Sequence, residues 1–171
     1  MPMRVILTAF ALLLAPVAAL AAPAAPAVTL TLLDGQTAFD SRALIGKKVL
    51  VVRFQASWCK VCREEAARLE RIWKNYAPRG VEVVGIQVQD TEADARRFLK
   101  AQAVTYPAGL DPRLRIANRF AITATPYTVV IDKRGTIAAR ISGRIDEPRL
   151  AKLLDSLLQE PLKRTPPSRL Q

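Results

Sequence analysis

The chain has 171 residues, a hydrophobic content of 50%, two cysteines and no histidine. This length suits one domain, and the lack of histidine excludes every metal site that needs an imidazole ligand. The formal net charge of +11 raises the question of nucleic-acid or membrane binding, but no run of basic residues is longer than two. We therefore interpret the charge as a solvated surface that attracts acidic partners.

The first 21 residues are typical of a secretory signal peptide. Arg4 precedes an apolar run over residues 5–14, and Ala19, Leu20 and Ala21 match the cleavage pattern. We expect cleavage after Ala21 and export of the mature chain. The alternative is an uncut membrane anchor, because an 18-residue apolar segment is the shortest that spans a bilayer. The predicted parts of the chain are a signal peptide (1–21), a linker (22–27), a folded domain (28–159) and a mobile tail (160–171).

Strand and helix signals alternate from residue 28 onward. A β-hairpin with an Asp34-Gly35 turn comes first, and an apolar run over 47–55 then predicts a strand buried on both faces. The later predictions are helices over 59–76, 91–102, 113–120 and 146–159, and extended segments over 81–89, 106–112, 125–132 and 136–142. This order indicates an α/β fold in which helices flank a mixed central sheet.

Cys59 and Cys62 admit three interpretations: a structural disulfide, a metal clamp or a redox pair. A disulfide that closes so short a loop adds little stability, and zinc needs about four ligands where this chain offers two thiols. The redox interpretation is therefore favoured. In this interpretation, the Cys59 thiolate is stabilised by the helix N-terminus, Lys60 and Arg63. Cys59 attacks a substrate disulfide, and Cys62 then resolves the mixed disulfide. We expect Trp58 to shield the thiol and to form a contact surface.

The stretch FQASWCKVCREEAARL resembles the thioredoxin superfamily and, in detail, the TlpA/ResA-like thiol–disulfide oxidoreductases. The resemblance extends over residues 28–158 and includes a strand–helix segment after the cysteine helix and a T-P before YTVVIDKRG. It implies a thioredoxin fold with an N-terminal hairpin and an inserted strand–helix segment. It further implies that Thr125 and Pro126, joined by a cis bond, receive the extended chain of a protein substrate.

For function, the resemblance implies a periplasmic reductase of protein disulfides that draws electrons from a membrane thiol–disulfide donor. The family includes thioredoxins of cytochrome c maturation, so apocytochrome c or a copper-site protein is an expected client. We expect a monomer with no cofactor beyond the Cys59–Cys62 disulfide and no nucleic-acid partner. The rival hypothesis is a binding module that holds Cu(I) between the two thiolates, because soft thiolates suit this ion.

Two features depart from the family pattern. Lys60 and Val61 stand between the cysteines in place of Gly-Pro, and the loop over 121–128 lacks the glycine and the Glu after proline that are typical of the cytochrome-maturation subgroup. The resemblance therefore does not fix the client. Ala56 stands where related peroxidases have a threonine three residues before their cysteine, which disfavours peroxidase activity.

Glu65 is predicted to point into the protein. Helical spacing places it on one face with the apolar residues Leu69, Ile72 and Tyr76. The resemblance implies that a glutamate three residues after the second cysteine lies near the redox site, where it can relay the proton of Cys62. The alternative is an acid satisfied structurally by a neighbour.

Arg53 is unexpected in a buried strand, because a lone buried guanidinium is very costly. It is expected either to pair with Glu65 beneath the cysteines or to extend its head to the surface. On the outer face of the same helix, Glu64 and Arg68 are expected to form a surface i,i+4 pair.

Overall fold

A computed structural model describes residues 23–161 of the chain. The predicted order of strands and helices is confirmed. The strands are β1 (Thr29–Thr31), β2 (Ala38–Asp40), β3 (Val49–Gln55), β4 (Val81–Val88), β5 (Ala108–Asp111), β6 (Tyr127–Ile131) and β7 (Ile137–Ser142). The helices are α1 (Lys60–Tyr76), α2 (Glu92–Ala101), α3 (Arg115–Arg119) and α4 (Glu147–Gln159).

Five strands form one mixed sheet in the order β5-β4-β3-β6-β7, while β1 and β2 form the predicted antiparallel hairpin. β3, β4 and β5 run parallel, and β6 and β7 run antiparallel to their neighbours. All seven residues of β3 are buried, as its apolar run predicts for a central strand. The fold is therefore the predicted α/β arrangement.

Residues of β3 alternate between two apolar clusters, one on each face of the sheet. Leu50, Val52 and Phe54 belong to the cluster that includes α3 and the two cysteines. Val49 and Val51 belong to the other cluster, which joins the inner faces of α1 and α4. α1 therefore lies across the second face and brings its first turn to the carboxyl end of β3.

The termini of the described segment are attached to the domain. In the predicted linker, the Ala25 N–H donates to the Gly135 carbonyl at 2.8 Å, and Glu160 forms an ion pair with Arg134 at 3.1 Å. The predicted signal peptide and the tail beyond Pro161 lie outside the described residues. Within residues 23–161, no helix has the length and apolar character needed to cross a membrane.

The hairpin packs closely on the outer side of β5. The Leu33 N–H donates to the Ala108 carbonyl at 2.7 Å, and Leu32 forms an isolated antiparallel bridge with Gly109. A Cβ atom at Gly109 would lie 2.3 Å from Leu30 Cδ1 and 2.7 Å from the Thr31 carbonyl oxygen. Only glycine therefore allows the hairpin to approach this strand so closely.

Gly109→Ala should displace the hairpin, because a backbone oxygen cannot move aside as a side chain can. We expect the free energy of unfolding to fall by about 1 to 3 kcal/mol in urea denaturation of the oxidised protein. Hydrogen exchange at the Leu33 amide should accelerate, while amides of β3 in the same sample serve as the control. A change below about 0.5 kcal/mol with unaltered exchange would show that the close contact has no energetic weight.

Candidate active site

Cys59 occupies the N-cap position of α1, where the chain leaves β3 and enters the helix. Its Sγ accepts a hydrogen bond from the Cys62 N–H at 3.1 Å, and a disulfide joins the two residues. Cys59 is 6% exposed and Cys62 only 1% exposed. The more accessible sulfur therefore lies at the helix N-terminus, where unpaired N–H groups favour a negative charge.

Asp90, which follows β4, fixes the loop before Cys59. Its carboxylate accepts hydrogen bonds from the Ser57 N–H at 2.8 Å and from the Ser57 hydroxyl at 2.6 Å. Arg63 donates from Nη1 to the Ser57 carbonyl at 2.6 Å, which closes the loop from the helix side. Sequence reasoning missed Asp90 and Ser57. The available signal was an acid at the carboxyl end of the strand beside β3, next to which the Ser57 loop must lie.

Arg53 pairs with Glu65, which confirms one of the two expected outcomes. Arg53 is 1% exposed, and its guanidinium donates to Glu65 Oε2 at 3.0 Å and to the Thr128 hydroxyl at 2.9 Å. Burial lowers the pKa of this guanidinium below its ordinary value, and the hydrogen bond and charge of Glu65 oppose that shift. The guanidinium stays beneath the cysteine helix because it finds two partners there.

Glu65 is fully buried and has several donors. The Ile145 N–H donates to both carboxylate oxygens, at 2.9 and 3.1 Å, and Arg68 Nη1 lies 3.7 Å from Oε1. With Arg53, these groups come from β3, from α1 itself and from the segment before α4. The geometry favours the structural interpretation of Glu65, because its carboxylate satisfies the buried Arg53 guanidinium and the buried Ile145 N–H group.

The predicted surface pair between Glu64 and Arg68 is wrong. Glu64 instead pairs with Arg144, which lowers the pKa of this carboxyl through a hydrogen bond. Arg68 turns toward the more enclosed carboxylate of Glu65. The prediction considered one helix alone, whereas the segment before α4 supplies a cation that sequence spacing could not place.

Trp58 and Thr125 line a groove of about 310 Å³ beside the cysteines. Trp58 is 57% exposed, as expected of a contact surface, and Lys60 is exposed at the start of α1.

The Thr125–Pro126 bond is cis, as the resemblance implies. Pro126 is buried, and its carbonyl accepts from the Gly143 N–H at 2.9 Å. Val88, Leu114, Ala117 and Ile122 give the groove an apolar lining.

Arg53→Ala should destabilise the oxidised protein by about 3 kcal/mol, because it leaves the buried Glu65 carboxylate without its closest cation. Arg68→Ala is the matched control. Arg68 is half-exposed and 3.7 Å from the same carboxylate, so its loss should cost less than about 1 kcal/mol. The double variant Arg53→Leu, Glu65→Leu should recover much of the loss. Equal costs for the two arginines in urea denaturation would contradict the importance of the buried pair.

The chain is similar in sequence and structure to known thiol–disulfide oxidoreductases. The model of the AhpC/TSA family matches residues 22–140. The chain is 34% identical to the thiol:disulfide interchange protein HelX of Rhodobacter capsulatus over 141 residues, which cover 82% of this chain and 78% of HelX. It is 26% identical to the thiol-disulfide oxidoreductase ResA of Bacillus cereus, over 78% of this chain and 76% of ResA.

A solved structure shares the fold over nearly its whole length. The thiol:disulfide interchange protein of the thioredoxin family from Chlorobium tepidum superposes with a TM-score of 0.74 and 28% identity, covering 82% of this chain and 99% of that one. The Cys59–Cys62 pair lies at disulfide distance at the start of a helix in this same fold. The chain therefore belongs to the AhpC/TSA family of the thioredoxin superfamily and is a thiol–disulfide oxidoreductase of the HelX/ResA type.

Proposed function

We propose that this protein is an exported, monomeric reductase of disulfides in periplasmic client proteins, re-reduced by a membrane thiol–disulfide donor. Apocytochrome c and copper-site proteins are the client classes that the family resemblance favours. The observation that carries the proposal is the position of Cys59 as N-cap of a 17-residue helix, with Cys62 buried one turn later. The signal-like sequence of residues 1–21 supports export.

Cys59 is the attacking residue in this proposal and Cys62 the resolving one. The Cys59 thiolate attacks one sulfur of the client disulfide, forms a mixed disulfide and releases the first client thiolate. The Cys62 thiolate then attacks Cys59 Sγ, which releases the second client thiolate and forms the Cys59–Cys62 disulfide. Two electrons pass to the client, and the donor restores both thiols. The bond from the Cys62 N–H to Cys59 Sγ supports this order, because the same donor stabilises a Cys59 thiolate.

The groove beside the cysteines is the proposed client site. Within the described residues, the Thr125 backbone makes no hydrogen bond to other backbone groups. An extended client chain can therefore pair with it, as a strand pairs with a sheet edge, while Trp58 covers the neighbouring residues of that chain. The apolar lining favours unfolded segments, because folded clients keep such side chains in their cores.

The direction of electron flow depends on how strongly the Cys59 thiolate is stabilised. The helix N-terminus stabilises the Cys59 thiolate and hence the reduced form of the cysteine pair. A pair whose reduced form is stabilised has a higher reduction potential and is a stronger oxidant. Two features limit this effect: Lys60 is exposed, so solvent screens its charge, and the Asp90 carboxylate binds Ser57 two residues before Cys59. We infer that the pair acts as a reductant.

Insulin reduction with dithiothreitol as electron source tests the proposed activity. The wild-type protein should accelerate it, Cys59→Ser should abolish the acceleration, and Cys62→Ser should accumulate a mixed disulfide through Cys59. In the reduced protein, iodoacetamide at neutral pH should label Cys59 much faster than Cys62. Equal labelling would contradict the assigned roles. Tight, stoichiometric Cu(I) binding without insulin reduction would favour the copper-binding hypothesis instead.

The reduction potential should lie nearer to the value of thioredoxin, about −270 mV, than to that of the oxidant DsbA, about −120 mV. Equilibration with glutathione measures it. Asp90→Asn should raise the potential, because it removes a negative charge near the Cys59 thiolate. Asp94→Asn is the control, since the Asp94 carboxylate lies in the first turn of α2, where it accepts from the Thr91 hydroxyl and pairs with Arg97 at the surface. A wild-type value near the DsbA end would overturn the reductive direction while leaving the family assignment intact.

A further inference from the structure

A second concave surface lies outside the groove at the cysteines. It is a cleft of about 640 Å³ between the N-terminal hairpin, α2 and the segment that leads from β5 into α3. Leu30, Leu32 and Ile116 contribute apolar surface to its lining. Four arginines also line it, contributed by α2 and by the region around α3: Arg96, Arg113, Arg115 and Arg119. We call this feature the arginine cleft.

The two carboxylates of the arginine cleft already have partners within the protein. Glu92 pairs with Arg96 at 2.7 Å, and Asp111 is buried and accepts hydrogen bonds from the N–H groups of Ile116 and Ala117. Hydrogen bonds do not remove the charge of Asp111, but four arginines line the cleft against only these two carboxylates. The cleft therefore keeps a net positive charge.

The side chains of Arg113, Arg115 and Arg119 are exposed and form no ion pair within residues 23–161. Every Asp and Glu of the chain lies within that range. Arg115 and Arg119 are also four residues apart on one short helix, a like-charge spacing that destabilises a helix. Contacts within the described residues do not account for this arrangement of like charges.

α3 is held firmly enough to present these arginines in a fixed position. Phe120, which follows the helix, is fully buried with its ring centroid 5.6 Å from that of Phe54 in β3. At the other end, Asp111 binds the first backbone N–H groups of the helix at 2.8 and 2.9 Å. The guanidinium groups thus project from an anchored helix.

The same helix separates the arginine cleft from the groove at the cysteines. Leu114, Ala117 and Asn118 line the groove with Trp58, whereas Arg115, Ile116 and Arg119 line the cleft. A polypeptide that lies in the groove needs only to cross α3 to reach the arginines. Binding in the cleft can therefore determine which disulfide reaches Cys59.

We propose that the arginine cleft binds an acidic segment of the client protein, next in sequence to the disulfide that Cys59 attacks. This inference rests on the proposed function and adds the charge of the client. Guanidinium groups form paired hydrogen bonds with carboxylates, and steering by opposite charge raises the rate of encounter. A polypeptide fits better than an anionic membrane, because a concave cleft with apolar surface admits a chain, while a flat bilayer reaches only its rim.

The test compares two disulfide-bonded peptides that are identical except for four residues on one side of the disulfide, glutamates in one and glutamines in the other. Reduced full-length protein should reduce the glutamate peptide about tenfold faster at low salt, expressed as the second-order rate constant. This advantage should decline as the ionic strength rises, because salt screens the attraction.

Arg115→Glu, Arg119→Glu should remove the advantage of the glutamate peptide and leave the rate with the glutamine peptide unchanged. The matched control is Arg149→Glu, Lys152→Glu, which changes the net charge equally at exposed positions of α4 without ion pairs in the described residues. It should retain most of the advantage. If charge reversal disrupts α3, seen as a loss of rate with the glutamine peptide, the pair Arg115→Gln, Arg119→Gln gives the same comparison.

Two results would overturn the inference. The first is equal rates for both peptides with the wild-type protein. The second is an equal loss of the advantage in both charge-reversed variants, which would assign it to net charge alone.

A vesicle experiment separates peptide from lipid. If the protein shows no peptide preference but sediments with vesicles of phosphatidylcholine and phosphatidylglycerol, and reversal of Arg115 and Arg119 abolishes this, the cleft would be assigned to lipid. If the wild-type protein fails to reduce even the glutamine peptide, that result would instead contradict the proposed function.

Discussion

The buried ion pair between Arg53 and Glu65 is the constraint on which the arrangement of the active site depends. A guanidinium and a carboxylate that are both removed from water must stay together, because separating them leaves an uncompensated charge in an apolar interior. Arg53 belongs to the central strand and Glu65 to the cysteine helix. The first turns of α1 therefore cannot rotate or slide over the sheet without separating the pair.

The pair also connects the cysteine helix to the proposed client site. Arg53 donates to Thr128, which lies two residues after Pro126, while Glu65 accepts from the Ile145 backbone ahead of α4. One charge pair thus fixes the helix against both segments. This role differs from proton relay, the function that the family resemblance suggested for Glu65. The Glu65 carboxylate satisfies a buried guanidinium and a buried backbone N–H group, so it is a structural element of the site.

Much of this arrangement follows from local sequence pattern. The apolar run of β3, the amphipathic α1 and the position of Cys59 at its start are encoded within single segments, and the burial of Glu65 follows from helical periodicity. The pairing of Arg53 was predictable as one of two outcomes, because burial of a guanidinium demands a partner.

Contacts between distant segments were not predictable in the same way. Asp90 binds a loop 33 residues away, and Glu64 pairs with a residue 80 positions later. Sequence spacing carries no signal for such contacts until the strand order is known. The arginines show the same limit: they are scattered along the chain, but the fold brings Arg96 to the same cleft as the arginines around α3.

The bridge between Leu32 and Gly109 determines which edge of the sheet is open to other polypeptides. An open sheet exposes two edge strands, and each can capture an extended polypeptide and seed aggregation. Here the hairpin occupies the β5 edge, and glycine at 109 lets it approach closely enough to bond. The β5 edge is therefore closed to an extended polypeptide, which leaves the β7 edge of the sheet and, in the proposed function, the Thr125 backbone for pairing with a client chain.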